Sequence, residues 1–290
     1  MTPSYLLVRK IGRIDRMQVR AILDYIVPKL DEPMPTYEGF GIVTVAGGPY
    51  LRWFWASLNK LREVTDAPIQ CYHLGKRELN HPSVPKMREM GVEFVDAIPF
   101  MQEENYQSFG GWSAKSIAIK HSPFRHCLFL DADCFPLLDP ETILSGPDLN
   151  HGFLAFHDVS KCRKDDFFFH DFNLKYDAGF IEFEAGAQLW DKQENWRPLQ
   201  LFSWMNGRPN PFHKIGWGDK DLAPWSFMRL GLPFNVGGKP EWLGYGIRHK
   251  LSDGTPAFLH FMPEKRGGEP APEVADLLVE FDEMNELQPA

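Results

Sequence analysis

The stretch Cys127-Leu-Phe-Leu-Asp131-Ala-Asp133-Cys-Phe-Pro136 decides the fold, because an apolar run ends abruptly in two carboxylates two residues apart. The run predicts a buried strand, which we expect Pro136 to stop. Residues two apart on an extended strand share a face, so both carboxylates can reach one cation. Ligands of open α/β sheets bind outside the carboxyl ends of the strands. We therefore predict a metal site at this strand end.

The chemistry of the two carboxylates favours a hard divalent cation with a phosphate-bearing ligand. Oxygen ligands suit Mn²⁺ and Mg²⁺, which share their coordination shell with waters and substrate phosphates. A nucleotide diphosphate is the expected partner. The alternative is a strand that ends in a solvated Asx turn and binds no metal.

Length and composition bound the class of protein. The chain has 290 residues, of which 43% are hydrophobic, enough for a large core in one large domain or two small ones. We favour one domain. The net charge of −8 gives no overall attraction to a nucleic-acid backbone, although it does not exclude a local basic groove.

The N-terminus lacks the basic start and apolar run of a secretion signal, and no segment approaches about 18 consecutive apolar residues. We therefore predict a soluble, cytoplasmic chain without a membrane span. Cys71, Cys127, Cys134 and Cys162 form no Cys-x-x-Cys pair, so we predict reduced core cysteines rather than disulfides or a zinc site.

Strand and helix patterns alternate before the Asp131 motif. Apolar β-branched runs bounded by Gly and Pro predict strands, and apolar residues at helical spacing predict helices. Regular alternation of this kind predicts a parallel, doubly wound sheet. The predicted strands are 39–46, 69–74 and 92–95, and the predicted helices are 16–30, 50–64, 86–90, 113–121 and 274–284.

Four motifs, taken in order, resemble GT-A glycosyltransferases of the retaining glycogenin-like and Mnn1-type α-mannosyltransferase families. They are the Gly110–Ala118 segment with Lys115 before Asp131 and Asp133, the Glu184–Lys192 segment with Gly186, the Gly218–Asp221 segment, and Phe258-Leu-His260-Phe. The resemblance covers about residues 40–266. It implies an α/β GT-A fold, Rossmann-like and typical of nucleotide-diphospho-sugar transferases, with a mostly parallel central sheet flanked by helices.

The resemblance also implies a domain organisation. Departures from the family pattern, among them Cys134, Ala185 and the missing secretory anchor, leave the sugar and the acceptor open. The predicted units are an accessory segment 1–38, a catalytic domain 39–266 with a donor half 39–140 and an acceptor half 141–266, and a tail helix within 267–290.

Three residues are implied as metal ligands by the resemblance. Asp133 would bind the ion most directly, Asp131 would reach both the ion and the donor ribose, and His260 would complete the protein ligands. The expected ion is Mn²⁺ or Mg²⁺. Without the resemblance, a lone strand histidine such as His260 is more often a core or surface residue.

Donor-binding residues follow from the same resemblance. Lys115 would face the phosphates or the sugar, Ala46, Gly47 and Tyr50 would receive the nucleotide with Tyr50 stacked on the base, and Lys265 with its neighbour Arg266 would close over the diphosphate. The alternatives are a solvated helix lysine, a plain Gly-Gly-Pro turn and a surface loop. Further donor contacts are implied for Glu184, Gly186 and Gln188.

Asp219 and Asp221 are the carboxylates that we expect to line the sugar pocket, with Lys115 as the third predicted catalytic residue. They would bind hydroxyls or stabilise positive charge at the anomeric carbon. A helix N-cap is the alternative role. Trp112, Trp190, Trp217 and Trp225 offer stacking faces for sugars, or belong to the core.

The sequence thus predicts a metal-dependent hexosyltransferase that moves a sugar from a UDP- or GDP-sugar to an acceptor hydroxyl, with retention of configuration. The acceptor class stays open among glycan, protein, lipid and modified nucleobase. Two alternatives are an Mg²⁺-dependent phosphatase of the haloacid-dehalogenase type, which also uses Asp-x-Asp at a strand end, and a non-catalytic sugar-binding protein.

Overall fold

The structure is a computed structural model that describes residues 18–161, 166–177, 179–216, 218–261 and 270–286. Some predictions concern residues beyond these ranges. Lys265, Arg266, Trp217 and Cys162 lie outside the described residues, as does the start of the helix predicted for 16–30.

A seven-stranded sheet forms the centre of the fold. Its strands are β1 Glu38–Val45, β2 Ile69–His73, β3 Val92–Asp96, β4 Phe124–Leu130, β6 Phe153–Lys161, β7 Ile181–Asp191 and β8 Asn235–Val236. They lie in the order β3, β2, β1, β4, β7, β6, β8. The strands β3, β2, β1 and β4 pair in parallel, as the alternation of strands and helices predicts. β7 pairs antiparallel with β4 and β6, and β8 returns parallel to β6. The predicted mostly parallel sheet is confirmed.

A smaller antiparallel sheet covers one end of the large sheet and corrects one prediction. Its order is β5 Cys134–Pro136, β11 Pro256–Phe261, β10 Gly246–Lys250 and β9 Gly238–Trp242. Pro136 therefore does not stop the apolar strand. β4 already ends at Leu130, and Pro136 lies in a short strand of the second sheet, opposite Phe258.

Helices flank the large sheet. Five of them correspond to predicted helical segments within a few residues, namely Val19–Ile26, Leu51–Arg62, Ser83–Glu89, Gly111–His121 and Ala275–Glu286. The other α-helices lie outside the predicted segments. The α-helices are α1 Val19–Ile26, α2 Leu51–Arg62, α3 Ser83–Glu89, α4 Ile98–Glu103, α5 Gly111–His121, α6 Asp166–Asp171, α7 Trp196–Asn206, α8 Pro209–Gly216, α9 Leu222–Leu230 and α10 Ala275–Glu286. Shorter 3-10 helices are Val27–Lys29, Gly48–Tyr50, Lys76–Leu79, Pro140–Ser145 and Pro147–Leu149.

β4 has apolar residues on both faces because both faces of the sheet are covered. Cys127 and Phe129 belong to the core beneath α5 and α7, whereas Leu128 and Leu130 belong to the core on the opposite face. A strand buried on both sides reads as a continuous apolar run rather than an alternating one. Cys71, Cys127 and Cys134 are buried free thiols, as predicted.

Within the described parts of the chain, no helix has both the length and the apolar character that crossing a bilayer requires.

A buried polar network joins α4, α5 and α7 away from the strand ends. The carboxylate of Glu104 lies 2.9 Å from Lys120 Nζ and 2.6 Å from His121 Nε2, and accepts a hydrogen bond from Ser203. Burial alone would raise the pKa of Glu104, but Lys120 and His121 lower it well below its ordinary value. The ionised carboxylate therefore stabilises the folded state.

We expect Glu104→Gln to lower the free energy of unfolding at neutral pH by about 2 kcal/mol, because charge-assisted hydrogen bonds are lost. A carboxylate with a depressed folded-state pKa stabilises above its unfolded pKa and loses that effect as the pH falls. The difference from the unsubstituted protein should therefore shrink below about pH 4.3. Urea unfolding as a function of pH measures it, with the neighbouring exposed Glu103→Gln as the control. Equal stability of both variants at neutral pH would contradict this role.

Candidate active site

The two aspartates of the Asp131 motif lie on a turn, not on one face of a strand. Asp131 donates its backbone N–H to Gly186 O at 2.8 Å, and Cys134 N–H bonds back to Asp131 O at 2.9 Å. The backbone carbonyl of Asp133 then accepts from Phe261 in the second sheet. The turn lies where the chain passes from β4 to β5. The carboxylates converge because of this turn, which corrects the argument from strand alternation.

His260 approaches the turn from the second sheet. β11 pairs with β5 so that His260 lies opposite Cys134, and its Nε2 is 3.1 Å from Asp133 Oδ1. Ligand atoms of Asp131, Asp133 and His260 all lie within 4.8 Å of one another. Two carboxylates and an imidazole are a donor set that suits Mn²⁺ and also Mg²⁺. The predicted metal ligands are thus brought together, and their chemistry fits a divalent cation.

Lys115 occupies the other side of Asp131, on α5. Its Nζ lies 3.0 Å from Asp131 Oδ1 and 2.7 Å from Asp219 Oδ2, and donates to Ala185 O at 3.2 Å. Burial alone would lower the pKa of Lys115, but the two carboxylates raise it above its ordinary value. The alternative of a solvated helix lysine is wrong, because the side chain is 4% exposed.

Asp219 and Asp221 lie on a tight turn before α9. Gly218 has a φ of 89° and Asp221 a φ of 71°, so the turn uses the left-handed region twice. Lys220 holds the turn in place through ion pairs with Asp158 at 2.7 Å and Glu182 at 2.6 Å. Burial raises the pKa of Asp219, an effect that Lys115 opposes and Asp131 reinforces.

Asp219 contacts the cluster around Lys115 through its ion pair with the Lys115 ammonium. Asp221 is buried, and its Oδ1 accepts the backbone N–H of Phe183 in β7. It does not cap α9 through its side chain, although it occupies the N-cap position. Asp221 therefore attaches the turn to the central sheet.

Glu184, Gly186 and Gln188 follow one another along β7 but lie in different surroundings. Glu184 lies between two histidines: its Oε1 is 3.2 Å from His260 Nδ1, and its Oε2 is 3.4 Å from His249 Nε2. Burial alone would raise the pKa of Glu184, but the two histidines hold it well below its ordinary value. Gln188 is buried opposite Phe129 of β4 and accepts from the indole N–H of Trp190.

Gly186 is a glycine because its neighbours leave no space for a side chain. A Cβ at this position would lie 2.5 Å from His260 Nδ1 and 2.8 Å from Glu184 Oε2. The glycine in the sequence therefore indicates the close approach of His260 to Glu184.

We expect Gly186→Ala to lower the free energy of unfolding by about 1–3 kcal/mol, the usual cost of overpacking a buried position. The histidine ring and the carboxylate must both move to admit the methyl group. Urea unfolding measures the effect, and Gly110→Ala is the matched control because a Cβ there comes no nearer than 3.6 Å to Ser108 Oγ. A neutral Gly186→Ala would mean that His260 moves without cost.

The predicted nucleotide loop follows β1, so it lies at the same carboxyl edge of the sheet as the Asp131 turn. Ala46 is buried, and its backbone N–H donates a hydrogen bond to Tyr72 O. Gly47 lies against Glu78. Tyr50 is 50% exposed and is available for stacking.

Two of the predicted stacking tryptophans are core residues. Trp190 and Trp225 are fully buried among aromatic side chains, so they present no face to a ligand. Trp112, in contrast, is 62% exposed in the first turn of α5 and lies against Gly218. It keeps an open aromatic face beside the turn that carries Asp219.

Sequence reasoning missed two histidines near this cluster. His249 on β10 is 1% exposed and faces Glu184, and the apolar run of the neighbouring β11 was the signal for a buried strand. His213 on α8 bonds to Asn206, and burial together with Lys115 lowers the pKa of His213 to about 4. His213 is therefore neutral at physiological pH.

Comparisons with known proteins connect this geometry to glycosyltransferases. Residues 39–177 match the family model described as "Mannosyltransferase putative". The Alpha-1,2-mannosyltransferase MNN2 of Saccharomyces cerevisiae is 29% identical over 143 residues, which are 47% of this chain and 24% of MNN2. The Alpha-1,2-mannosyltransferase MNN21 of Candida albicans is 27% identical over 151 residues, 47% of this chain and 23% of MNN21. The chain thus spans about a quarter of the length of these curated relatives.

Among solved structures, the bifunctional glycosyltransferase WbbM in its apo form is similar over 88% of this chain and 53% of that chain. Its TM-score is 0.54 and its sequence identity 13%, a likeness that shows the fold. The predicted GT-A fold and the predicted resemblance to glycosyltransferases are confirmed.

Proposed function

We propose that this chain is a metal-dependent glycosyltransferase that moves a mannosyl residue from a nucleoside-diphosphate mannose to a hydroxyl group of a glycan, with retention of configuration. The convergence of Asp131, Asp133 and His260 beside the Lys115–Asp219 pair carries the proposal. The names of the fungal relatives support the choice of mannose.

The metal site defines the donor end of the proposed reaction. Asp131, Asp133 and His260 would hold the cation, which when bound neutralises the charge that develops on the diphosphate leaving group. Mn²⁺ and Mg²⁺ both suit carboxylate ligands, and we propose Mn²⁺ because Mg²⁺ is bound mainly by oxygen ligands, whereas this set includes an imidazole.

Lys115 contributes to the proposed site through ion pairs with carboxylates rather than through a contact with the donor phosphates. A lysine ammonium has three donors, and here Asp131, Asp219 and Ala185 O lie at contact distance from it. We infer that Lys115 fixes the orientation of Asp131 and Asp219. Its single charge lies between two carboxylates and so keeps their mutual repulsion low.

Asp219 is the carboxylate that we propose at the sugar. It would accept hydrogen bonds from sugar hydroxyls and stabilise positive charge at the anomeric carbon, as carboxylates do in glycoside chemistry. With retention, the acceptor attacks the sugar on the same face from which the leaving group departs. No side-chain nucleophile is then required. Trp112 offers its open face to a sugar ring of the acceptor.

The two alternatives are less favoured. A phosphatase of the haloacid-dehalogenase type would use Asp131 as a nucleophile, whereas the family model and the curated relatives that match this chain are mannosyltransferases. A sugar-binding protein without activity would not need Asp131, Asp133 and His260 in one cluster.

A donor panel tests the proposal. Purified protein with Mn²⁺ is incubated with GDP-mannose, UDP-glucose or UDP-galactose and a mannose-terminated oligosaccharide, and the product linkage is read by NMR. We expect an α-linked mannosyl product that disappears with EDTA and in His260→Ala, but persists in the exposed control His151→Ala. Turnover with another sugar donor would correct the donor. Phosphate release from simple phosphomonoesters without sugar transfer would overturn the proposal.

A further inference from the structure

A line of polar side chains continues from the proposed metal ligands into the protein. His260 has its Nε2 at 3.1 Å from Asp133, while its other nitrogen, Nδ1, lies 3.2 Å from Glu184 Oε1. Glu184 Oε2 accepts the backbone N–H of Gly186 and lies 3.4 Å from His249 Nε2. The contacts of Glu184 with the two histidines are close approaches rather than formed hydrogen bonds, because His260 Nδ1 and His249 Nε2 have no hydrogen-bond partner among the described residues.

The fold specifies this arrangement from three strands. Glu184 lies on β7 in the large sheet, and the two histidines lie on neighbouring strands of the small sheet. Gly186 has no side chain, and a Cβ there would occupy the space between His260 and Glu184. His260 and His249 are 3% and 1% exposed, so water does not compete for these contacts.

An imidazole binds a cation through an unprotonated nitrogen, so its other nitrogen must carry the proton. Histidines that bind metals almost always donate this N–H to a carboxylate, a carbonyl or a water, which fixes the tautomer and the ring orientation. Glu184 Oε1 lies 3.2 Å from His260 Nδ1, close enough to accept this proton after a small rotation of the ring, and His260 Nε2 faces Asp133.

We propose that Glu184 and His249 are positioning residues for the metal site: Glu184 accepts the Nδ1 proton of His260, and His249 holds Glu184 from behind. The inference rests on the proposed function, since it assumes that His260 binds a cation. It assigns Glu184 a role in orienting a ligand, in place of the donor contact implied by the resemblance.

A competing arrangement uses the same atoms. Glu184, His249 and His260 themselves bring three ligand atoms within 4.8 Å of one another, so they could hold a cation of their own. The positioning role is favoured because Glu184 already accepts a backbone N–H and His260 is shared with the Asp131–Asp133 group. The stoichiometry of metal binding separates the two arrangements.

Mn²⁺ binding by the full chain, without donor, tests the proposal. Titration followed by EPR gives affinity and stoichiometry, and the nitrogen coupling in pulsed EPR reports whether a histidine binds the ion. The unsubstituted protein should bind one Mn²⁺ with histidine coupling. Glu184→Ala should bind about 10- to 100-fold more weakly with altered coupling, the usual effect of losing such a partner. Glu184→Gln keeps an acceptor oxygen, so its Mn²⁺ affinity should lie between those of the unsubstituted protein and Glu184→Ala. His249→Phe should lose less Mn²⁺ affinity than Glu184→Ala.

Glu104→Gln is the matched control, because Glu104 is also a buried carboxylate beside a histidine but lies in the α4–α5–α7 network. It should lose stability and keep its Mn²⁺ affinity. Unchanged affinity and coupling in Glu184→Gln and His249→Phe would overturn the positioning role alone. If the unsubstituted protein bound a second Mn²⁺ and His249→Phe lost it, Glu184, His249 and His260 would form the competing metal site and the positioning role would be wrong. No Mn²⁺ binding by the unsubstituted protein would overturn the proposed function and this inference with it.

Discussion

Asp133→Asn is expected to abolish most of the activity, with a loss of about 1,000-fold in transfer rate, the scale seen when a preorganised charge stabiliser is removed. Asp133 is buried and contacts His260, which places its carboxylate at the centre of the proposed ligand set. The amide of Asn keeps the shape of the side chain but removes the negative charge that would bind the proposed cation. Mn²⁺ affinity and transfer rate, measured on the same preparation, test this expectation.

The control for Asp133→Asn is Asp253→Asn, an exposed aspartate in the turn between β10 and β11. It should leave both quantities unchanged. If Asp133→Asn retained the Mn²⁺ affinity and the rate of the unsubstituted protein, then the Asp131 turn would not be the metal site.

Lys115→Met is expected to lower the free energy of unfolding by about 3–5 kcal/mol, the usual cost of breaking a buried ion pair from one side. Asp131 and Asp219 would then face each other without their shared cation. Adding Asp219→Asn should restore part of the loss, because it removes one of the two charges. Urea unfolding without metal measures each variant, and transfer activity should fall with Lys115→Met.

Exposed Lys86→Met is the matched control and should change the free energy of unfolding by less than about 0.5 kcal/mol. A stable Lys115→Met protein with weakened donor binding would instead support direct contact of Lys115 with the donor phosphates.

Local sequence patterns were sufficient to predict β1, β2, β3 and β4, which make up most of the large sheet. The alternation of strands and helices before Leu130 follows from hydrophobic periodicity and from Gly and Pro, and these are short-range signals. The apolar run of β4 indicated a strand buried on both faces. The second sheet was not predicted, because the pairing of β5 with β11 joins segments more than a hundred residues apart and leaves no local trace.

The candidate site divides in the same way. Asp131 and Asp133 were visible as a motif, whereas Lys115, Asp219 and His260 came from the order of motifs that resemble a known family. His249 escaped notice because nothing in the strand pattern tells which buried histidine faces Glu184. Trp190 and Trp225 were ambiguous because aromatic composition does not distinguish a binding face from a core.

The pairing of β5 with β11 brings His260 to the Asp131 turn, so the proposed cation site forms only when these two distant segments meet. The segment 39–177 that matches the family model contains Lys115, Asp131 and Asp133, but neither Asp219 nor His260. The cation would therefore link Asp131 and Asp133 to His260, which lies more than a hundred residues later in the chain. Any ion bound only by the folded state adds to its stability by mass action. Metal loading would thus report that the last strand has docked, and it would make the intact chain more resistant to proteolysis.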